Sequence, residues 1–253
     1  MGFVEELTGI IAVCESLFSF CLASVASLMT PCAAAGPSAG TLSARPGAVS
    51  GKPAGAGTHP LGLRVKRDAL LYVPKISSKN LVVYLHGAGG SEEQGPKRLG
   101  ALSEKLGFLL LSPASADRTW DAIRDGFGAD VQIIDASLRK VYAERNVERT
   151  VVAGFSDGAS YALGLGIRNA GLLSAVAAFS PGFIAGGTPP KTKSRIFVSH
   201  GIDDEILPIH SCSRQLVPRL KRDGHEVSYR EFQGPHTVPA EIAEEGLRWV
   251  LGL

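Results

Sequence analysis

Gly154-Phe155-Ser156-Asp157-Gly158 lies between an apolar run, Thr150-Val151-Val152-Ala153, and a run of mostly small residues from Ala159 to Gly164. The pattern reads as a strand, a sharp turn and a helix, with a serine at the apex. Flanking glycines let the strand and helix backbones pass closely. The helix then turns its free N-terminal amides toward any negative charge that forms beside the hydroxyl. Such a serine can attack an electrophilic carbon once a base removes its proton.

Histidine suits that base, since its ordinary pKa is about 6.5. Six histidines compete. His59 falls in a Gly/Pro-rich arm, His225 in the polar turn Asp223-Gly224-His225, and His210 at the start of a helix; His86 and His200 each end a strand. His236, in the loop Gln233-Gly234-Pro235-His236-Thr237, follows the last full strand, and the chain order Ser, Asp, His selects it. An acid must accept the second imidazole N–H and stabilise the imidazolium. Asp203, Asp204 and Glu205 stand in a row after the preceding strand, and chemistry alone leaves the two aspartates level, with the glutamate behind. Attack on a carbonyl builds a negative oxygen that needs preset donors. The glycine-rich turn Leu85-His86-Gly87-Ala88-Gly89-Gly90 offers the Ala88 amide, and the elbow offers that of Asp157; His86 itself reads as structural. Trp120, in Asp117-Arg118-Thr119-Trp120-Asp121, is either a wall of an acyl pocket or a core anchor clamping its loop.

These groups require elements that bring them to one edge. Ala69–Pro74, Leu81–Leu85, Phe108–Leu111, 150–155, Ala175–Phe179, Arg195–Ser199 and Glu226–Phe232 read as strands, several of them continuous apolar runs suited to burial on both faces. Helices are expected from Pro96 to Leu106 with Gly107 as a stop, from a cap at Asp130 to about Tyr142, after the elbow, from about Ile209 to Arg222 with a kink or shortening at Pro218, and from about Ala240 to Leu251. The alternation predicts an α/β fold, a mostly parallel sheet with helices on both faces and ligands at the C-terminal strand ends. His86, Ser156, His200 to Asp204, and His236 all fall there. The Gly/Pro-rich stretch from Phe183 to Ser194 is too short for a separate lid, so an open site is expected.

With 253 residues, 45% apolar and 20% charged, the chain can bury one substantial core. A net charge of +2 without a basic, aromatic-bearing stripe gives no reason to expect nucleic acid. Cys14, Cys21 and Cys32 fall in the first segment and only Cys212 in the body, which gives no internal disulfide or metal spacing there and slightly favours a reducing, cytoplasmic setting. Residues 1–35 hold an apolar run, Leu17 to Met29, followed by Ala33-Ala34-Ala35. This is the pattern of an atypical export leader, yet Glu5 and Glu6 stand where a leader wants basic residues, and a start at Met29 is the alternative. The run is too short for stable membrane insertion to be expected. Residues 36–62 read as a mobile Gly/Pro/Ala-rich arm, and 63–253 as the catalytic body.

From about Leu70 onward the chain resembles the α/β-hydrolase superfamily, in particular the small lidless carboxylesterase/phospholipase and acyl-thioesterase group and the esterases related to polyhydroxybutyrate depolymerases. The resemblance rests on Leu85-His86-Gly87-Ala88-Gly89, Gly154-Phe155-Ser156-Asp157-Gly158, His200-Gly201-Ile202-Asp203-Asp204 and Pro235-His236, and departs at Asp157 and Ala159 of the elbow. The family's His-Gly-x-x-Asp pattern implies Asp204 as the acid. It also implies cleavage of small-molecule carboxylic esters through an acyl-enzyme, with no cofactor or metal. A thioesterase or acyltransferase would use the same residues. A hydrolase-fold binding protein would ordinarily lack one of them.

Overall fold

The computed structural model describes residues 40–63, 67–187 and 192–253. The apolar segment 1–35 lies outside the described residues. Eight strands form one sheet: β1 (Gly57–Pro60), β2 (Ala69–Val73), β3 (Asn80–Leu85), β4 (Leu109–Pro113), β5 (Arg149–Phe155), β6 (Leu173–Phe179), β7 (Arg195–Gly201) and β8 (Glu226–Phe232). Their order is β1-β2-β4-β3-β5-β6-β7-β8. β1 and β2 pair antiparallel, as do β2 and β4, while every other neighbouring pair is parallel. The parallel centre follows from its side chains. Leu81 to Leu85, Val151 to Ala153 and Ala175 to Phe179 are buried throughout, and a strand that exposes neither face must have a helix layer on each side.

Those layers are α1 (Gln94–Leu106) and α5 (Ala240–Leu251) on one face, and α2 (Ala129–Glu144), α3 (Asp157–Arg168) and α4 (Ser213–Arg222) on the other. Alternate side chains of one strand therefore feed two cores. Leu81, Val83 and Leu85 pack with Ile134, Leu138 and Leu165, whereas Val82 and Tyr84 pack with Leu99, Phe179 and Leu247. α1 ends at Gly107 in a left-handed conformation with its amide donated to the Ser103 carbonyl, as its stop residue requires.

Three expectations change. The arm is packed at two places from residue 40 onward: Leu42 and Ala44 are fully buried, and β1 extends the sheet. Too few large side chains are present there to collapse by themselves, and helix side chains supply the holding force instead. The Leu42 amide donates to Asn169 Oδ1 (2.8 Å), and those of Ser43 and Ala44 to Asp135 Oδ1 (both 2.7 Å). Second, α4 starts at Ser213 rather than about Ile209, because Cys212, with φ of −107° and ψ of −103°, leaves the helical region and separates the preceding turn from the helix; Pro218 stays inside the helix. Third, Asp130 does not cap α2. Its carboxylate instead accepts the amides of Ala116 (2.6 Å) and Asp121 (2.7 Å), and burial pushes its pKa up to about 6.

Candidate active site

β5 ends at Phe155 and α3 begins at Asp157, so Ser156 alone makes the turn. Its φ of 58° and ψ of −122° place a non-glycine residue in a region L side chains rarely adopt. Surrounding backbone fixes it there. Its amide donates to the Phe179 carbonyl on β6 (3.0 Å), and its own carbonyl accepts the amides of Ala159 (2.9 Å) and Ser160 (3.0 Å). The elbow glycines have distinct reasons. A Cβ at Gly154 would overlap the Gly158 carbonyl, and one at Gly158 would overlap the carbonyl oxygens of Leu85 and His86 at the end of β3. Main chain from β3, β5 and α3 thus meets around one hydroxyl.

The loop after β8 brings in His236. Its Nε2 lies 2.9 Å from Ser156 Oγ and its Nδ1 2.6 Å from Asp204 Oδ2. A carboxylate can only accept, so Nδ1 carries the proton and Nε2 of the neutral ring is free to accept from the serine hydroxyl. Asp204 is buried, with Oδ1 accepting the amides of Ile206 (3.0 Å) and Leu207 (2.8 Å). Burial drives its pKa upward, but the Leu207 amide and the two histidines beside it outweigh that and hold the carboxyl below its ordinary value. Asp203 is exposed, and its carboxylate accepts from Gln233 Nε2 (3.1 Å); Glu205 is exposed as well. Geometry therefore joins Asp204, and neither neighbour, to His236.

A second imidazole touches the same carboxylate oxygen. His200 Nε2 lies 3.1 Å from Asp204 Oδ2 and 2.7 Å from the Leu207 carbonyl, both acceptors, so Nε2 bears the proton and Nδ1 accepts from the Ser213 hydroxyl (2.5 Å). His200 is fully buried, and burial keeps it neutral by lowering its pKa. Gly201 follows because the acid loop and the histidine loop cross here: a Cβ would run into the carbonyls of Gly234 and Pro235. Phe155 packs its ring on His236, with centroids 4.7 Å apart.

The turn after β3 supplies the candidate oxyanion donors. Gly87 approaches Ser156 so closely that an added Cβ would sit 3.4 Å from the serine Cβ. Ala88 is exposed beside it, and its amide donates to no acceptor among the described residues. The Asp157 amide is the first of α3, which its own helix cannot satisfy. His86 braces the turn from below. It is fully buried and held neutral by burial, with Nδ1 donating to the Gly87 carbonyl (2.8 Å) and Nε2 accepting the Ser115 amide (3.1 Å). Trp120 is no pocket wall: it has 0% exposure and donates its indole N–H to the His86 carbonyl (2.8 Å). Packed between His86 and Tyr161, with centroids 4.8 and 5.2 Å away, it anchors its loop beneath the turn. Thr119 on that loop donates to the Asp157 carboxylate (2.6 Å).

Residues 112–244, more than half of the chain, match the family described as phospholipase/carboxylesterase. The chain belongs to that family. Solved structures agree on the fold. Esterase PE8 is 23% identical with a TM-score of 0.58, covering 74% of this chain and 100% of its own. The Bacillus cereus carboxylesterase is 18% identical with a TM-score of 0.57, covering 75% and 95%. Acyl-protein thioesterase 2 of Zea mays is 19% identical with a TM-score of 0.52, covering 78% and 98%. No curated protein sequence matches the chain.

As a phospholipase/carboxylesterase family member with the α/β-hydrolase fold, the protein is an enzyme of the esterase class acting on small molecules. No helix among the described residues is long and apolar enough to cross a membrane. Sequence reasoning quoted three residues around the site without giving them a role in it: His200, set aside as a candidate base, Phe155 and Gly201. The available signal for His200 was its position, a histidine at the end of a buried strand four residues before the acid. Phe155 gave none, since its partner His236 is far along the chain.

Proposed function

We propose that the protein cleaves carboxylic esters through an acyl-enzyme formed on Ser156. The observation that carries this reading is the single imidazole of His236 within hydrogen-bond reach of both Ser156 Oγ (2.9 Å) and Asp204 Oδ2 (2.6 Å). In the acylation step Oγ bonds to the ester carbonyl carbon as Nε2 takes its proton. The carbonyl oxygen becomes an oxyanion held by the Ala88 and Asp157 amides. The imidazolium, stabilised by Asp204, then donates its proton to the departing alcohol as the C–O bond breaks. Water repeats the sequence on the acyl-enzyme and releases the acid. These steps use main-chain amides and three side chains, and call on no cofactor.

Thioester hydrolysis is the second reading, since the same groups would act on a C–S bond and the Zea mays structure of like fold is named as an acyl-protein thioesterase. The test is mass spectrometry after treatment with a fluorophosphonate, with hydrolysis of p-nitrophenyl acetate, butyrate and octanoate alongside acyl-matched thioesters. A single adduct on Ser156 with faster turnover of the oxygen esters supports the first reading. Faster thioester turnover moves the assignment to the second, and a folded protein with no adduct refutes both.

A further inference from the structure

The face of the sheet that carries α1 and α5 holds a pocket of its own, of about 310 Å³. Tyr84 and Phe179 of the sheet, Arg98 and Leu102 of α1, Val238 of the histidine loop and Ala243 of α5 all line it. Its size is at the lower end of small-molecule sites, which run from about 300 to 1,000 Å³. Two features set it apart from a packing gap. Tyr84 is 2% exposed, and its hydroxyl has no hydrogen-bond partner, which is unusual for a buried polar group. Arg98 is exposed and pairs with no carboxylate among the described residues; its guanidinium rests over the Phe155 ring, 5.1 Å from the centroid. Burial raises the phenol to about 12, so it remains a donor, and Arg98 is near enough for its charge to oppose that shift.

Apolar walls, an unsatisfied donor and an unpaired cation together describe a ligand with an apolar chain and one anionic, hydrogen-bond-accepting end. We propose that this pocket binds an aliphatic monocarboxylate of medium chain length, with its chain between α1 and α5 and its carboxylate at Arg98 and the Tyr84 hydroxyl. The ligand would rest on Val238, two positions after His236 on the loop that carries that histidine, and on Ala240, the first residue of α5. The inference concerns binding and does not depend on the reaction proposed above.

Calorimetric titration of octanoate into the full chain bearing Ser156→Ala tests it, with n-octanol as the uncharged probe. Octanoate is expected to bind about tenfold more tightly than the alcohol, and Arg98→Gln to remove that difference by losing one charge-assisted contact. Ala101→Trp, at an exposed position on the pocket rim, is expected to abolish binding without unfolding the chain. Amide NMR shifts on adding octanoate are expected in α1, α5 and residues 238–240. No binding at millimolar octanoate, equal affinity in all three proteins, or shifts centred on the elbow at residues 154–158 would each overturn the proposal, the last by placing the acid at the serine site.

Discussion

At the end of β5 the backbone sets the position of Ser156, through a left-handed dihedral and two glycines that let three stretches of main chain meet. At the ends of β7 and β8 side chains do the equivalent work, with His236, His200 and two amides converging on Asp204. The difference lies in what each arrangement tolerates. A backbone-held group rests on contacts that any added atom disrupts. A side-chain-held group rests on a network in which partners can be exchanged one at a time.

The largest effects should come from the serine corner. Ser156→Ala is expected to lower kcat by about 10⁴ to 10⁶ while leaving the melting temperature nearly unchanged, since it alters the hydroxyl and keeps the turn. Gly158→Ala should lose activity by the opposite route. Its methyl group meets two carbonyl oxygens at the end of β3, so a stability loss of about 3 kcal/mol should accompany the kinetic loss. Wild-type activity and urea midpoint in Gly158→Ala would break the claim that main-chain approach holds this corner.

Next in size is the carboxylate. Asp204→Asn is expected to lower kcat/KM by about 10³ to 10⁴, because an amide in place of Oδ2 favours the wrong imidazole tautomer. Asp203→Asn should change it by less than about threefold, its carboxylate being exposed and facing Gln233. A large loss in Asp203→Asn instead would remove Asp204 from the assigned role.

This contrast also explains what the sequence made legible. The elbow announces itself because its constraint is local: glycines two residues either side of the serine record the crossing of the strand and helix around it. The acid stayed undecided between Asp203 and Asp204 on chemistry alone, because what separates them is burial and the approach of a loop some thirty residues away, and only family resemblance favoured Asp204. The strands of the parallel centre were readable from their apolar runs, and α5 was read from Ala240 to Leu251, as observed. β1 was missed since Gly57-Thr58-His59-Pro60 has no apolar pattern and stays partly exposed, its place in the sheet coming from pairing with β2. Trp120 stayed open between two readings because a loop tryptophan shows its depth only through its partners, here His86 and Tyr161.

His200 sharpens the comparison further. If Asp204 is held by a network, removing one member should cost a fraction of the function. His200→Phe is expected to lower kcat/KM by about 10- to 100-fold through displacement of the carboxylate, and His200→Gln, which can still donate toward Oδ2, should recover most of it. A purely packing role would give the reverse order. The same residue enters the acid stability of the protein. His86, His200 and His225 have pKa values lowered by burial, so as pH falls below about 6.5 the unfolded chain gains protons that the folded chain refuses, and stability drops. Asp130, raised to about 6, acts in the opposite sense between about 6 and its ordinary range, where the folded chain holds the extra proton. Urea midpoints between pH 7 and 5 should therefore fall with pH in the wild type, and less steeply in His200→Gln.

A smaller effect than at His200 is expected at Trp120. Trp120→Phe keeps an aromatic ring between His86 and Tyr161 but leaves the His86 carbonyl without its indole donor. An unpaired buried carbonyl costs about 1 to 3 kcal/mol. For a body of this size that lowers the melting temperature by about 2 to 4 °C per kcal/mol. Because the His86 carbonyl lies directly before the turn that presents the Ala88 amide, kcat should fall severalfold for acetate, butyrate and octanoate esters alike. A pocket wall would behave differently, shifting the preference among the three acyl chains at constant melting temperature. The ratio of the three rates, measured with the melting temperature of the same variant, thus separates a brace under the oxyanion turn from a surface that contacts substrate.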